Sequence, residues 1–499
     1  MDNYFREKAD SFIRPLKHKK ILPCSFARIT DGKAIDCGEF TPFILNAGES
    51  VILRFPFHSV GYLCYKLASA GRIADSPTVL KFIPGEYLPE ITLPQEKYKG
   101  ILSSGWLQRE ERASVFLPAE ERLNGRYAFV YLKVERLDSG DFPIEIKELY
   151  CDSVSASSMD TLQPLNTADK RLQDIYNFCA RSLLNCSHDV IEDAPKRDRR
   201  LWLNEFRISA LVDSATFGNK DLIKRCLYLF AAHKLDGRIV ASCVYQNSPP
   251  YVDSFFYLVD LSLEFVAALN DYDEIYGDKE LLDDLYLIAK DQIFVAKEIL
   301  DGKKDERADF WIDWKPDLDK STAREGLYVY ILRMAKRLAK KKNDVEFIKL
   351  IDTEITSHSE KLMRYFDKKS NLFSSESGQI SVASQIYGIL SGVLNKTQCS
   401  SVLDAINNYR DALPLHTPNI HNYYLEAMYV AGRKDLMLKL IEDVWGRMMD
   451  LGEYCCPEYI PWVDSPSAYK HPVMDSACHA SGASPAYWMQ KLFSEKADN

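Results

Sequence analysis

Three short stretches of the chain combine carboxylates with tryptophan, a pairing suited to holding and cleaving a sugar. The first stretch, residues 192–206 (EDAPKRDRRLWLNEF), sets Asp193, Asp198 and Glu205 among arginines and beside Trp202. Glycosidic cleavage requires two carboxyl groups in different surroundings, one that donates a proton and one that stays ionised. A neighbouring arginine favours the ionised form, whereas apolar cover favours the protonated form. By itself, the stretch fits a solvated charged loop that caps a helix equally well.

The second stretch, residues 307–319 (RADFWIDWKPDLD), places Trp311 and Trp314 on either side of Asp313. An indole face can pack on the C–H face of a sugar ring while a carboxylate accepts hydrogen bonds from two hydroxyls. Two core tryptophans at the start of a helix would give the same spacing. Both interpretations therefore stay open at this point.

The third stretch begins at Trp445, passes Gly452 and carries Glu458 and His479. Gly452 is a helix-ending signal, and the Ser/Gly-rich turn after His479 precedes a helix predicted to begin at Ser484. Alone, Glu458 would be an ordinary loop carboxylate and His479 a buried core histidine. Together, the three stretches predict one cleft with carboxylates on both sides, as acid–base glycosidic cleavage requires.

The elements that must position these loops change in kind near residue 160. Before it, short β-branched and aromatic runs such as 50–57 (SVILRFPF) alternate with Gly, Pro and Asp, which predicts a β-sandwich of packed sheets. After it, apolar residues recur every three or four positions, which predicts about a dozen helices. A closed ring of hairpins satisfies this pattern, and the lack of a short repeat disfavours an open solenoid. We predict two domains, 1–160 and 161–499.

Composition excludes several classes of protein. The chain has 63 Lys+Arg and 72 Asp+Glu, a formal net charge of −9, which argues against a nucleic-acid partner. No apolar run is long enough to span a bilayer, and the first residues lack a signal peptide. The 12 cysteines show no CxxC pair and no zinc-finger spacing, so we expect reduced thiols, no metal, no cofactor and a cytoplasmic location.

Four ordered segments of the chain resemble the α-L-rhamnosidases of glycoside hydrolase family 78. Residues 193–198 (DAPKRD) are similar to the family's Asp-Cys-Pro-x-Arg-Asp/Glu stretch, and 311–314 (WIDW) to its Trp-x-Asp-Trp segment. Residues 445–458 resemble its Trp-Gly-x-Met segment ending in Trp-Glu, and 478–485 its Cys-His-Ala-Trp-Ser-x-x-Pro stretch. The resemblance implies an all-β N-terminal sandwich followed by an all-α (α/α)6 toroid, the six-hairpin glycosidase fold. It further implies inverting hydrolysis of terminal α-L-rhamnosides.

The resemblance also implies roles for individual residues. Glu458 carries over as the general base and Asp198 as the general acid, with Glu205 as a contact or alternative acid. We expect the following side chains to bind the sugar: Asp193, Arg197, Trp202, Asp253, Trp311, Asp313, Trp314, Trp462 and His479. The implied substrate is a small rhamnoside or oligosaccharide, and a homodimer is left open.

Three alternatives remain beside this interpretation. Cys456-Pro457 and Ser481-Gly482 stand where the family has aromatic residues, which leaves room for a related hydrolase acting on another sugar. The same replacements are compatible with a carbohydrate-binding protein that lacks catalysis, since fold alone does not determine function. A helical adaptor for a protein partner would require an open concave groove in place of a closed ring.

Overall fold

The structure is a computed structural model that describes residues 3–30, 33–94, 98, 103–235, 237–245, 251–252, 257–303, 305, 308–462 and 476–494. A short helix, α1 (Asn3–Ser11), precedes the sheet, and α2 (Leu88–Thr92) interrupts it. The nine strands of the N-terminal region are β1 (Lys17–Ile21), β2 (Ser25–Thr30), β3 (Lys33–Asp36), β4 (Phe43–Leu45), β5 (Ser50–Ser69), β6 (Thr78–Gly85), β7 (Glu110–Ser114), β8 (Ala119–Arg136) and β9 (Ile144–Ser155).

The strands form an antiparallel sheet in the order β1-β9-β5-β8-β6-β7, with β2 and β3 beside β5, and β4 beside β9. The predicted sheet-rich leader is confirmed, and hydrogen bonds connect its strands into one continuous sheet. The pairing of the long strands β5 and β8 shifts register between Arg54 and Ser59 and then resumes. Both strands therefore stay in the same sheet on either side of the irregularity. Alternate side chains such as Leu53, Phe55 and Phe129 are fully buried in a core that belongs to this region.

The rest of the chain is helical, with paired short strands in its loops. Its helices are α3 (Lys170–Cys186), α4 (Leu203–Thr216), α5 (Lys220–Ala232), α6 (Val259–Tyr276), α7 (Lys279–Leu300), α8 (Ser321–Lys341), α9 (Val345–Met363), α10 (Val382–Leu390), α11 (Lys396–Asn408), α12 (Pro418–Ala431), α13 (Lys434–Ile441), α14 (Arg447–Asp450) and α15 (Pro485–Ser494). The loop strands are β10 (Leu201–Trp202), β11 (Ser242–Val244), β12 (Tyr251–Val252), β13 (Tyr257–Leu258), β14 (Ala308–Asp309), β15 (Phe366–Asp367) and β16 (Leu372–Phe373).

Six helices form a closed inner ring. Helix α4 contacts α6, and contacts continue through α8, α10, α12 and α15 back to α4. Outer helices alternate with these along the chain, namely α3, α5, α7, α9, α11 and α13. Each outer helix and the inner helix that follows it form one hairpin, which gives the predicted ring of hairpins. The closed ring is incompatible with the open groove that a helical adaptor requires.

The loops that enter the inner helices share one end of the ring, because each outer helix runs antiparallel to the inner helix that follows it. The three predicted stretches are such loops, preceding α4, α8 and α15. A local signal sets the start of another inner helix: Thr417 caps α12 by accepting the Ile420 N–H, and Pro418 stands at its first turn, where a missing N–H costs nothing. Ring closure therefore brings together loops that lie far apart in sequence.

Buried ion pairs join the sheet to the helical ring. Lys196 Nζ lies 2.9 Å from both Glu86 and Glu90. Arg126 of β8 contacts Glu192 at 2.6 Å. All five side chains are at least nine-tenths buried, and they anchor the loop before α4 to the N-terminal region.

All twelve cysteines lie among the described residues, and each is a free thiol. Among the helices that the structure describes, none is both long and apolar enough to cross a membrane.

Candidate active site

A cleft of about 580 Å³ opens at the end of the ring where the three stretches meet. Ten of the twelve predicted site residues line it: Asp193, Arg197, Asp198, Trp202, Glu205, Trp311, Asp313, Trp314, Glu458 and His479. Such a volume lies in the usual range for small-molecule sites. The tertiary structure thus unites side chains separated by up to 286 positions in sequence, from 193 to 479.

Backbone hydrogen bonds fasten the loops to one another. The Ala480 N–H donates to the Asp193 carbonyl at 2.8 Å, and the His479 N–H donates to the Cys456 carbonyl at 2.8 Å. The Glu458 N–H donates to the Ser476 carbonyl at 3.0 Å, while the Ser476 hydroxyl donates to the Arg197 carbonyl. These bonds fasten the first stretch to the third, which together carry the predicted catalytic carboxylates.

Asp193 and Asp198 form a carboxyl pair on one side of the cleft. Asp193 accepts the Arg200 N–H at 3.1 Å and the Asp198 N–H at 3.3 Å. Asp198 accepts the Trp202 indole N–H at 3.1 Å and lies 3.2 Å from the Arg200 guanidinium. Burial, and then repulsion from Asp198, raise the pKa of Asp193 well above its usual range. Asp193 therefore keeps its proton to a higher pH than a free aspartate does.

Glu458 lies on a different loop and forms an ion pair with Arg197. Both side chains are about nine-tenths buried, with 9% and 11% of their surface exposed. A carboxylate held in this way is available to accept a proton from water at the cleft.

Glu205 and His479 form a second ion pair in the wall of the cleft. Glu205 lies in the first turn of α4, where the helix dipole stabilises a negative charge. Its Oε1 accepts the Asn419 side-chain N–H at 3.2 Å, and its Oε2 lies 3.2 Å from His479 Nδ1. Burial opposes the charged imidazole, but Glu205, followed by Glu458 and Asp193, raises the pKa of His479 to about 9.

The two tryptophans of the second stretch stand edge to face, with ring centroids 6.0 Å apart. Asp260, at the start of α6, accepts the N–H groups of Trp311 and Ile312. These bonds hold Ile312 at a φ of 60°, a strained value for a β-branched residue. Trp314 keeps 38% of its surface exposed and lines the cleft.

Asp313 lies between the tryptophans, but both of its carboxylate oxygens accept hydrogen bonds from other protein groups. It accepts the His416 N–H at 2.8 Å and the Thr417 hydroxyl at 2.9 Å. Burial raises its pKa to about 6. These contacts fix the start of α12, the helix that carries Asn419.

A recess of about 20 Å³ adjoins the cleft, which is room for about one water molecule. Glu205, Glu458, His479 and Asn419 line it together with the segment that contains Gly482. A side chain at Gly482 would clash, since a Cβ there would lie 2.5 Å from Cys456 Cβ.

Two predicted residues are not placed among the cleft-lining side chains. Asp253 lies outside the described residues. The Trp462 ring packs against the Arg447 guanidinium, 4.2 Å from the ring centroid, and is not among the described residues that line the cleft.

The sequence interpretation missed several cleft residues: Trp106, Arg200, Asn204, Lys315 and Lys320, with Asn419 in the recess. Trp106 comes from the sheet-rich region, where an isolated tryptophan gave no local signal. Asn419 follows the Thr-Pro start of α12, so its helix position could be predicted but its contact with Glu205 could not.

Comparison with known proteins agrees with this geometry. Residues 25–153 match the glycosyl hydrolase family 78 alpha-rhamnosidase N-terminal domain. Residues 160–492 match the bacterial alpha-L-rhamnosidase 6 hairpin glycosidase domain. No curated protein sequence matches the chain.

Solved structures give the same grouping. A rhamnosidase from Klebsiella oxytoca with rhamnose bound is 31% identical, with a TM-score of 0.90 over 98% of this chain and 99% of that one. A family 78 rhamnosidase of Bacillus sp. GL1 is 17% identical, with a TM-score of 0.75 over 90% of this chain and 47% of that one.

A Streptomyces avermitilis alpha-L-rhamnosidase complexed with L-rhamnose is 15% identical, with a TM-score of 0.66 over 95% of this chain and 44% of that one. The chain thus spans less than half of these two larger enzymes, and their likeness shows the six-hairpin fold. The family match over residues 160–492 and the 31% identity to the Klebsiella structure establish the family as well as the fold. The chain is a glycoside hydrolase and belongs to the α-L-rhamnosidases of family 78.

Proposed function

We propose that this glycosidase removes terminal α-L-rhamnose from small rhamnosides or oligosaccharides with inversion, using Asp198 as general acid and Glu458 as general base. The observation that carries the proposal is that these carboxylates reach one cleft from separate loops. Inverting hydrolysis requires an acid at the leaving oxygen and a base that activates water on the opposite face of the sugar.

Asp198 is the better candidate for the acid because it lies beside Asp193, a carboxyl group with a raised pKa. Two carboxyl groups in contact cannot both ionise readily, and Asp193 has the raised pKa of this pair. A proton carried by Asp193 would pass to Asp198 and from Asp198 to the leaving oxygen. Trp202, which donates to Asp198, fixes the carboxyl orientation.

Glu205 is the weaker candidate for the acid. Its Oε1 accepts the Asn419 side-chain N–H and its Oε2 faces His479 Nδ1. Glu205 is therefore engaged by two protein groups and orients His479 in the wall of the cleft. We therefore assign Glu205 to binding and positioning.

Glu458 is suited to the base because the one-water recess lies against it. A water there would have Glu458 as proton acceptor and Asn419 or His479 as further partners. Arg197 holds the carboxylate in place and contributes hydrogen-bond donors toward the sugar.

The sugar would pack on the tryptophan faces and exchange hydrogen bonds with the charged wall. Trp202, Trp311 and Trp314 supply the aromatic surface, and Arg197 and His479 supply donors. Asp313 acts through α12, because its oxygens are occupied by protein donors. Asp253 and Trp462 remain predictions from the family resemblance alone.

The test is hydrolysis of an aryl α-L-rhamnoside, followed by NMR detection of the first rhamnose anomer released. We expect turnover with the β-anomer formed first. Release of the α-anomer first would contradict inversion, and activity confined to another member of an aryl-glycoside panel would favour a different sugar. Binding of rhamnose without hydrolysis of any panel member would favour the non-catalytic alternative.

The domain boundary, the cellular location and the partners of the chain also remain proposals. The division at residues 1–160 and 161–499 is a prediction. A cytoplasmic location is supported by the free thiols, because disulfides are rare in reducing compartments. Self-association is open, and we expect neither nucleic acid nor membrane as a partner.

A further inference from the structure

A buried cluster of sulfur and imidazole ligands lies behind the catalytic loops, outside the proposed chemistry. The ligand atoms of His58, Cys455 and Cys478 all lie within 4.8 Å of one another. Their exposed fractions are 1%, 0% and 0%. Cys186, also fully buried, places its Sγ 3.8 Å from Cys478 Sγ.

We propose that His58, Cys455 and Cys478 bind one zinc ion, and that Cys186, whose Sγ lies beside Cys478 and outside that group of three, completes the tetrahedral site by a shift of its side chain. Zinc takes thiolate sulfur at about 2.3 Å, so two sulfurs on one tetrahedral ion stand roughly 3.8 Å apart. The Cys186–Cys478 separation of 3.8 Å already has this value. Thiolates favour zinc over magnesium or calcium, and a fully buried set suits a structural ion.

The surroundings of His58 match those of a zinc-bound histidine. Its Nε2 lies 2.9 Å from Glu86 Oε1, and a carboxylate on the far nitrogen is the usual partner of a ligating imidazole. Its Nδ1 is left on the side of Cys455, where the Asn185 side-chain N–H lies 3.0 Å from Nδ1 and 3.6 Å from Cys455 Sγ. Zinc binding would displace this amide. The Ala477 N–H holds Glu86 from the other side at 3.0 Å.

The position of the cluster gives the ion a structural task. His58 belongs to β5 and Cys186 ends α3, so the ion would join the sheet to the ring. Cys455 precedes the proposed base Glu458 by three positions, and Cys478 directly precedes His479. An ion shared by these residues would fix two catalytic segments to each other without touching the substrate.

The spacing explains why the sequence predicted no metal. Zinc-finger motifs place ligands in close pairs, whereas these four are spread from residue 58 to residue 478. Only the folded ring makes them neighbours.

The experiment uses the full chain, reduced under anaerobic conditions and stripped with a chelator. After dialysis against Zn²⁺, we expect one zinc per chain by atomic emission and a higher unfolding temperature, because an ion that binds only the folded state stabilises it. Replacement by Co²⁺ should give thiolate-to-cobalt charge-transfer absorption and tetrahedral d–d bands. Wild-type chain that retains no zinc, or whose cobalt spectrum lacks the thiolate band, would overturn the proposal.

Variants then assign the ligands. Cys455→Ser and Cys478→Ser should each weaken zinc binding at least about tenfold, since a thiolate ligand is lost. Cys399→Ser is the matched control, because Cys399 is a buried cysteine of α11. Equal zinc affinity in the Cys455→Ser chain would also overturn the site. Should both variants fail to fold, the wild-type cobalt spectrum decides, and neither readout depends on rhamnoside hydrolysis.

Discussion

His479 Nδ1 lies 3.2 Å from Glu205 Oε2, which joins the segment before α15 to the first turn of α4. With a pKa of about 9, the imidazole is protonated at neutral pH. Its Nδ1 proton faces Glu205, so the Nε2 proton is available to a sugar hydroxyl. This pair therefore links ring closure to substrate binding.

The ion pair makes stability depend on pH in a defined direction. The pKa of His479 rises from 6.5 to about 9 on folding, so its contribution is complete below about pH 6.5 and is lost as pH rises through about 9. Each pKa unit corresponds to about 1.4 kcal/mol, which gives on the order of 3 kcal/mol. We expect His479→Gln to lower the free energy of unfolding at about pH 6 and much less at about pH 10.

Urea unfolding of both chains at the two pH values measures this difference. His18→Gln is the control, because His18 pairs with Asp152 on the surface with 58% of its side chain exposed. A His479→Gln deficit that is the same at both pH values would contradict the ion pair.

Replacing the proposed base should abolish turnover while the sugar still binds. Glu458→Gln keeps the size of the side chain but cannot accept a proton from water, so we expect kcat to fall by about 10²–10⁴. Steady-state kinetics and rhamnose binding by calorimetry separate the two effects. Glu360→Gln, on the exposed surface of α9, should leave kcat unchanged. Wild-type turnover in Glu458→Gln would remove Glu458 from the base position.

The acid can be identified from its dependence on the leaving group. Asp198→Asn should slow alkyl rhamnosides far more than nitrophenyl rhamnosides, because nitrophenolate departs without protonation. Glu205→Gln should slow both classes alike, since it alters His479 and sugar binding. The ratio of kcat/KM for the two substrate classes is the measurement. Selective loss of alkyl rhamnosides in Glu205→Gln would transfer the acid to Glu205.

Trp314 should contribute to sugar affinity rather than to stability. An aromatic contact is worth about 1 kcal/mol, so Trp314→Ala should raise KM or the sugar Kd by roughly fivefold. Its ring is 38% exposed, and the melting temperature should change little. Trp445→Ala is the contrast, because Trp445 is fully buried and donates to the Gly482 carbonyl at 2.7 Å. An unchanged Kd in Trp314→Ala would show that the ring does not contact the sugar.

Lys196 should be indispensable to the junction between sheet and ring. Lys196→Met would remove the buried cation that Glu86 and Glu90 share, at a cost of about 3–5 kcal/mol. Lys170→Met is the control, because Lys170 is 86% exposed and should change stability by less than about 0.5 kcal/mol. Chemical denaturation compares the two. A Lys196→Met chain as stable as the control would contradict a supporting role for the pair.

Local patterns in the sequence determined the elements and the residue types of the site. Alternating apolar runs such as residues 50–57 predicted strands, and three- and four-residue spacing predicted the helices. Carboxylates and tryptophans that are close in sequence identified the three loops as parts of the site, because hydrogen bonding and burial at one position depend partly on the adjacent residues. Ten of the residues predicted in this way line the cleft.

Only the tertiary structure decided which of these groups interact. Closure of six hairpins sets Glu205 against His479 and Asn419, contacts between residues hundreds of positions apart. Asp313 was predicted to face sugar, yet its oxygens bind the start of α12. The protonation of Asp193 and His479 likewise depends on burial and on charges from other loops. Such long-range fields and contacts leave no periodic pattern in the chain, because they arise only when distant loops meet at one end of the ring.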